Sequence, residues 1–192
     1  MKAVASLFLV LSLAACVGKT EPSRLYVLSA TEPAAQRSPQ GLSLSVGPVV
    51  LPKYLDRPQI VTRPSANELT AAEFDRWGGR LEDNVTQVIG ENLSRRLRSS
   101  RVALFPAEAG NRSDLRVSVT ISRFECVSDS GECVLDARWQ IVAAAPQSQP
   151  IMGASGLTSR VAGSGYPAVA AAMSQLLGNL SAEIGDAVSA RR

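Results

Sequence analysis

Histidine is missing from all 192 residues. Its absence removes the side chain used most often as a general base, and a zinc site of the usual histidine-containing kind cannot be built. Aromatic residues make up only 5% of the chain, which argues against a large ligand cavity lined with rings. Charge is also sparse, with a formal net of +3. The densest basic cluster, Arg95-Arg96-x-Arg98, reads as the solvated end of a helix, where cations complement the helix dipole. Nothing here has the basic footprint of a nucleic-acid binder. Gly-x-Ser-x-Gly elbows and phosphate-cradling loops are absent too. Gly163-Ser164-Gly165 is a flexible loop before a helix, and Asp56, Glu68 and Glu73 are acids on hairpins, where solvation is the ordinary state. No enzymatic activity, cofactor or metal is expected.

A membrane-spanning run is lacking as well. The longest apolar stretch, Ala3 to Ala15 behind Lys2, is roughly a dozen residues, against the ~20 needed to span a bilayer. It ends in Leu13-Ala14-Ala15-Cys16, which looks like a bacterial lipobox: small residues admit a peptidase before Cys16, and the thiol accepts the diacylglyceryl group. The plainer alternative is a secretory signal followed by a chance cysteine. The lipobox reading makes 1–15 a signal peptide, Cys16 the lipidation site, 16–23 a linker and 24–192 a single periplasmic domain. Val17 rather than Asp after the cysteine favours the outer membrane, by analogy with lipoprotein sorting. Acyl chains contribute ~0.8 kcal/mol per buried CH₂, so a triacylated cysteine anchors without a transmembrane helix. In an oxidising compartment Cys126 and Cys133 read as a disulfide rather than a metal site.

Periodicity gives the rest of the fold. Leu25–Leu28 is a short strand, and 31–41, rich in Pro, Ala, Gln and Ser, is a loop. Leu42, Leu44 and Val46 alternate with serines, the pattern of a half-buried strand. Gln59–Arg63 and Glu68–Ala72 form a hairpin. From Glu73 to Ser100 the spacing changes to three and four, with Phe74, Trp77, Leu81, Val85, Val88, Ile89, Leu93 and Leu97 on one helical stripe. Gly78-Gly79 weakens its first turn, so the helix begins properly only near Arg80. Arg101–Phe105, Leu115–Ile121, Cys133–Ala144 and Ile151–Val161 read as further strands, and Tyr166-Pro167 opens a last helix. The expected fold is α/β: a two-layer sandwich, a mixed, mostly antiparallel sheet with two long helices on one face.

The stretch Val46–Arg63 carries Pro48, Pro52 and Pro58, each of which removes a donor and disfavours helix before it. It must therefore be extended pieces joined by bends. Val-Leu-Pro-Lys-Tyr-Leu-Asp-Arg-Pro-Gln-Ile-Val-Thr-Arg, followed by Asn67-Glu68-Leu69, Arg76-Trp77 and Leu81, resembles the PqiC (YmbA) family of membrane-integrity transport lipoproteins. The likeness is good from about Leu25 to Leu97 and departs at Gly78-Gly79, where such proteins more usually carry a helix former and an acid. It implies an ABC-type transport auxiliary lipoprotein on the periplasmic face of the outer membrane. Such a protein docks to a periplasmic MCE-domain protein and, through it, to an inner-membrane transporter, in an intermembrane lipid transport system. A homo-oligomeric ring is implied by the same analogy. The alternative is a stand-alone periplasmic lipoprotein that binds lipid or another apolar ligand itself. Candidate partner-binding residues are Tyr54, Leu55, Arg57, Arg76 and Trp77, because Tyr, Trp and Arg dominate interface energetics. For Trp77 a place in the core competes with this role, and Arg57 and Arg76 could instead pair with Asp56 or Glu73.

The long hairpin contains a conflict of register. If Cys126 faces Cys133, a regular ladder puts Ile121 opposite Arg138, apolar against polar. One extra residue near Ser122-Arg123, a β-bulge, removes the conflict.

Overall fold

The computed structural model describes residues 21–105, 113–127, 131–145 and 147–191. The expected signal segment 1–15, Cys16 and the first part of the expected linker lie outside them. The described chain forms β1 (Arg24–Tyr26), β2 (Leu44–Val50), a 3-10 turn (Lys53–Leu55), β3 (Gln59–Ser65), β4 (Glu68–Trp77), α1 (Leu81–Arg96), β5 (Val102–Leu104), β6 (Leu115–Val127), β7 (Glu132–Ala143), β8 (Ile151–Arg160) and α2 (Gly165–Ser189).

All eight strands join one sheet, and β6 is its spine. On one edge β6 pairs along its whole length with antiparallel β7, which carries β8. On the other edge two strands share it. β2 runs parallel to Leu115–Thr120, and β3 runs parallel to Cys126 and Val127. β2 then carries β5, while β3 carries β4 and, beyond it, β1. The sheet therefore forks, and Val46–Arg63 is what forks it. The chain leaves β6 after Val50, bends at Pro52, makes the 3-10 turn and rejoins β6 after Pro58.

Helix α1 packs against β2 and β5, and α2 against β6, β7 and β8. The longest ladders are antiparallel. The result is the expected two-layer α/β arrangement, with both helices on one face. Leu44, Val46, Val117, Ile121, Ile89, Leu93, Leu176 and Leu180 fill the space between the layers.

The hairpin carries its bulge between Ile121 and Arg123. Ile121 lies opposite Ala137, Phe124 opposite Leu135 and Cys126 opposite Cys133, so one apolar face runs through the irregularity. The extra residue, Ser122, donates its hydroxyl to the Asp136 carbonyl at 3.2 Å. Cys126 and Cys133 are disulfide-bonded.

Two sequence expectations need correction. Phe74 and Trp77 do not begin the helical stripe; they end β4, and α1 starts at Leu81. Gly78 and Gly79, poor in either element, are the break between the two, and Asp75 and Trp77 alternate inward as strand residues do. Nor is the start of β2 half-buried: Ser43 and Ser45 are covered along with Leu44 and Val46, and exposed positions return only at Pro48 and Val50.

The loop at 31–41 is tied down at its start. Leu28 exchanges both backbone hydrogen bonds with the Asn84 amide. Ser29 N–H donates to Ser174, and the N–H groups of Thr31 and Glu32 both donate to the buried Asn92 carbonyl. Arg96 binds Glu32 and Asp186, which links this strap to both helices. Gly178 matters here, because a Cβ on it would sit 1.9 Å from Thr31 Oγ1.

Candidate functional site

The turn at the fork is held by a buried carboxylate. Phe124 and Cys126 point into the core, so strand alternation sends Glu125 to the opposite, helix-free face. Glu125 is nonetheless fully buried, because the 3-10 turn folds over it. Tyr54 Oη donates to Oε2 at 2.6 Å, Arg63 Nε donates to Oε1 at 2.7 Å, and Arg123 Nε approaches Oε1 at 3.2 Å. Arg63 also lies 6.0 Å from the Tyr54 ring centroid. Burial pushes the Glu125 carboxyl up, but the hydrogen bonds from Tyr54, Arg63 and Arg123 outweigh it and hold the group below the usual range. Burial, then the bond to Glu125, pushes the Tyr54 hydroxyl up to about 12.

Sequence reasoning missed Glu125 and Arg63. The only signal was the bulge, which fixes the face on which Glu125 lies. Nothing in the local pattern says that Tyr54, far away in the chain, would cover it.

Of the five candidate partner-binding residues, Arg57 is exposed, while Leu55 and Trp77 are in the core at 3% and 5% exposure. Tyr54 is half-buried on Glu125. Arg76 stands between Leu25 and Gln59 in a cross-strand row, half-buried, and its Nε is buried without a hydrogen-bond partner among the described residues. The two segments do meet. Trp77 N–H donates to the Pro58 carbonyl at 2.7 Å, and Asp56, Arg57, Pro58, Trp77, Arg80 and Leu25 line one shallow cleft of about 390 Å³. Arg80 also lines a neighbouring cleft of about 320 Å³ with Pro48, Val49, Leu104 and Phe105. Together these clefts form a notch between the two arms of the fork.

At its margin β1 is clipped to β4. Asp75 accepts from Arg24 at 2.8 and 2.9 Å and from Tyr26 at 2.7 Å, and Arg24 foremost holds its carboxyl below the usual range.

Among the described residues no group of His, Cys, Asp or Glu is arranged to hold a metal, and no helix is long and apolar enough to cross a membrane. Asp56, Glu68 and Glu73 are exposed. The ionisable clusters around Glu125, Asp75, Glu91 and Arg96 tie one element to another. Fold and site thus define a two-layer α/β domain whose polar networks position a loop at a notch.

Residues 26–185 match the family described as ABC-type transport auxiliary lipoprotein component, and the chain belongs to it. A crystal structure of an uncharacterized protein superposes with a TM-score of 0.70 at 24% identity, covering 88% of this chain and 99% of that one. A DUF330 protein from Xanthomonas campestris superposes with a TM-score of 0.62 at 17% identity, covering 88% and 100%. At these identities the likeness is one of fold. No curated protein matches the chain. Family membership makes the protein an auxiliary lipoprotein component of ABC-type transport, which is not an enzyme class.

Proposed function

We propose that this chain is an outer-membrane lipoprotein, cleaved before Cys16, acylated there and facing the periplasm. In that setting it docks to the periplasmic MCE-domain protein of an intermembrane lipid transport system and thereby supports membrane integrity. One observation carries the docking reading. The Asp56-Arg57-Pro58 loop and the Trp77–Arg80 strand end, distant in sequence, line one solvent-open cleft. Within it Arg57 contacts the partner, Arg76 supports it from the adjoining row, and Leu55, Trp77 and Tyr54 fix the loop from beneath. Copies arranged as a ring around the end of the conduit would present several such notches to it.

Two substitutions test this reading. Replacing Cys16 with alanine blocks acylation and releases processed protein from membranes; mature protein that stays bound without acyl label refutes the anchor. Replacing the exposed Arg57 with alanine weakens co-purification with the MCE partner about thirtyfold, the lower bound of an interface hot spot, and leaves the melting temperature unchanged. Wild-type binding by this variant removes the loop from the interface. Stoichiometric phospholipid on the purified domain would favour the stand-alone carrier instead.

A further inference from the structure

The helices cover one face of the sheet and, apart from the 3-10 turn over Glu125, leave the other open. Register assigns residues to that open face. On β6, β7 and β8 it carries, in cross-strand rows, Arg116 with Val142, Ser118 with Gln140 and Met152, and Thr120 with Arg138 and Ala154. Val50 joins the last row beside Thr120, and Leu25 lies on the same face beside Arg76 at the far arm of the fork.

Two properties set this face apart. Four of the large apolar side chains that remain exposed lie on it: Met152 at 76%, Leu25 at 67%, Val50 at 49% and Val142 at 37%. Its charge is also one-sided. Each acid on these three strands has an arginine of its own: Glu125 has Arg63, Asp136 has Arg123 and Glu132 has Arg160. Arg116 and Arg138, both exposed, and Arg76 are left without an acid among the described residues. A surface of scattered apolar side chains with surplus arginines suits the interface of an anionic bilayer, where each cation contributes and apolar side chains enter the headgroup layer.

The tether supplies the occupant. Arg24, which starts β1, is eight residues after Cys16, so a fully extended linker reaches at most about 29 Å. Leu25, the first residue of the sheet to point to the open face and one residue further on, is thus held within about 32 Å of the membrane. We infer that the open face of the sheet lies against the anionic phospholipid surface to which the chain is anchored. Leu25, Val50, Val142 and Met152 meet the headgroup layer, and Arg116 and Arg138 meet lipid phosphates. The notch with Arg57 then opens at the margin of the sheet, where a partner approaches edge-on. The inference rests on the proposed anchoring through Cys16.

The test uses the acylated full-length mature protein in vesicles of three parts phosphatidylethanolamine to one part phosphatidylglycerol. A fluorophore is placed at Met152→Cys on the open face or at Gln175→Cys on the exposed side of α2, and the quencher is a headgroup nitroxide lipid. Position 152 is expected to be quenched and position 175 not. Quenching at 152 falls when Arg116→Gln and Arg138→Gln are combined, each cation shifting the equilibrium about fivefold. It falls likewise when phosphatidylcholine replaces phosphatidylglycerol. Equal quenching at both positions in acylated, vesicle-bound protein overturns the inference. So does a position 152 that is shielded without vesicles in a particle of twice the mass, which would mean that another copy covers the face. Protein that neither carries acyl chains nor floats with vesicles refutes the anchor itself, a separate failure visible before any quenching is read.

Discussion

Replacing Glu125 with alanine will destabilise the domain by about 3 kcal/mol, read as a lowered urea midpoint. Removing one partner from a buried ionic cluster costs about 3–5 kcal/mol, because the remaining charges keep their burial and lose their compensation. Here the variant leaves Arg63 without its acid, Arg123 with only Asp136 at 3.8 Å, and the Tyr54 hydroxyl without its acceptor. Arg63 is 18% exposed and Arg123 39%, so water recovers part of the loss and the lower end of the range applies. Glu125→Gln keeps an acceptor for Tyr54 and should cost less. The same carboxylate sets a pH dependence. Its folded pKa is held below its unfolded value, so its contribution is complete above the unfolded value. That contribution is lost as pH falls through the lower, folded value, and the alanine variant should lack this acid-side loss. A variant within about 0.5 kcal/mol of wild type, the span of ordinary surface changes, would show that the turn holds itself.

The contrast with Arg57 shows what could be read from the chain and what could not. Three prolines announced a bent, extended segment, and the bend is there. Which side chains on the bend face outward depends on a partner distant in sequence. Tyr54 looks like a free hot-spot residue until Glu125 appears beneath it. Leu55 has no local mark separating it from Arg57, yet it is buried because the turn folds over the sheet. Periodicity found α1 and α2 because each repeats its apolar spacing over several turns. It misassigned Phe74 and Trp77 because a strand with inward residues at Asp75 and Trp77, followed by two glycines and a helix, can mimic three-and-four spacing. The fork was illegible for a similar reason: that β2 and β3 share one edge of β6 is a property of the whole sheet. Family resemblance gave the kind of protein, whereas the positions of the arginines on the open face became meaningful only with the register.

The strongest test of that register compares two single-residue deletions at the bulge. Ser122 is the unpaired extra residue of β6, flanked by Ile121 opposite Ala137 and Arg123 opposite Asp136. Deleting it makes the ladder regular and leaves every facing pair in place, Cys126 with Cys133 included. The domain should fold and form its disulfide. The loss is confined to the fork, where β3 must shift by about 3.3 Å relative to β2 and Tyr54 loses its reach to Glu125, for at most about the 3 kcal/mol of the Glu125 variant. Deleting Asp136 from the facing strand does the opposite. Leu135 and Cys133, both fully buried, then turn to the open face, because a one-residue slip reverses every side chain beyond it. Exposing a buried leucine costs about 2–5 kcal/mol with its cavity, and losing a short-loop disulfide adds about 2 kcal/mol. Arg123 loses Asp136 as well. The total approaches the whole stability of a typical domain, about 5–15 kcal/mol, so this variant should be unfolded or degraded. Circular dichroism and thiol titration separate the two outcomes. A folded, disulfide-bonded Asp136 deletion, or free thiols in a folded Ser122 deletion, would show that the hairpin does not pair as described.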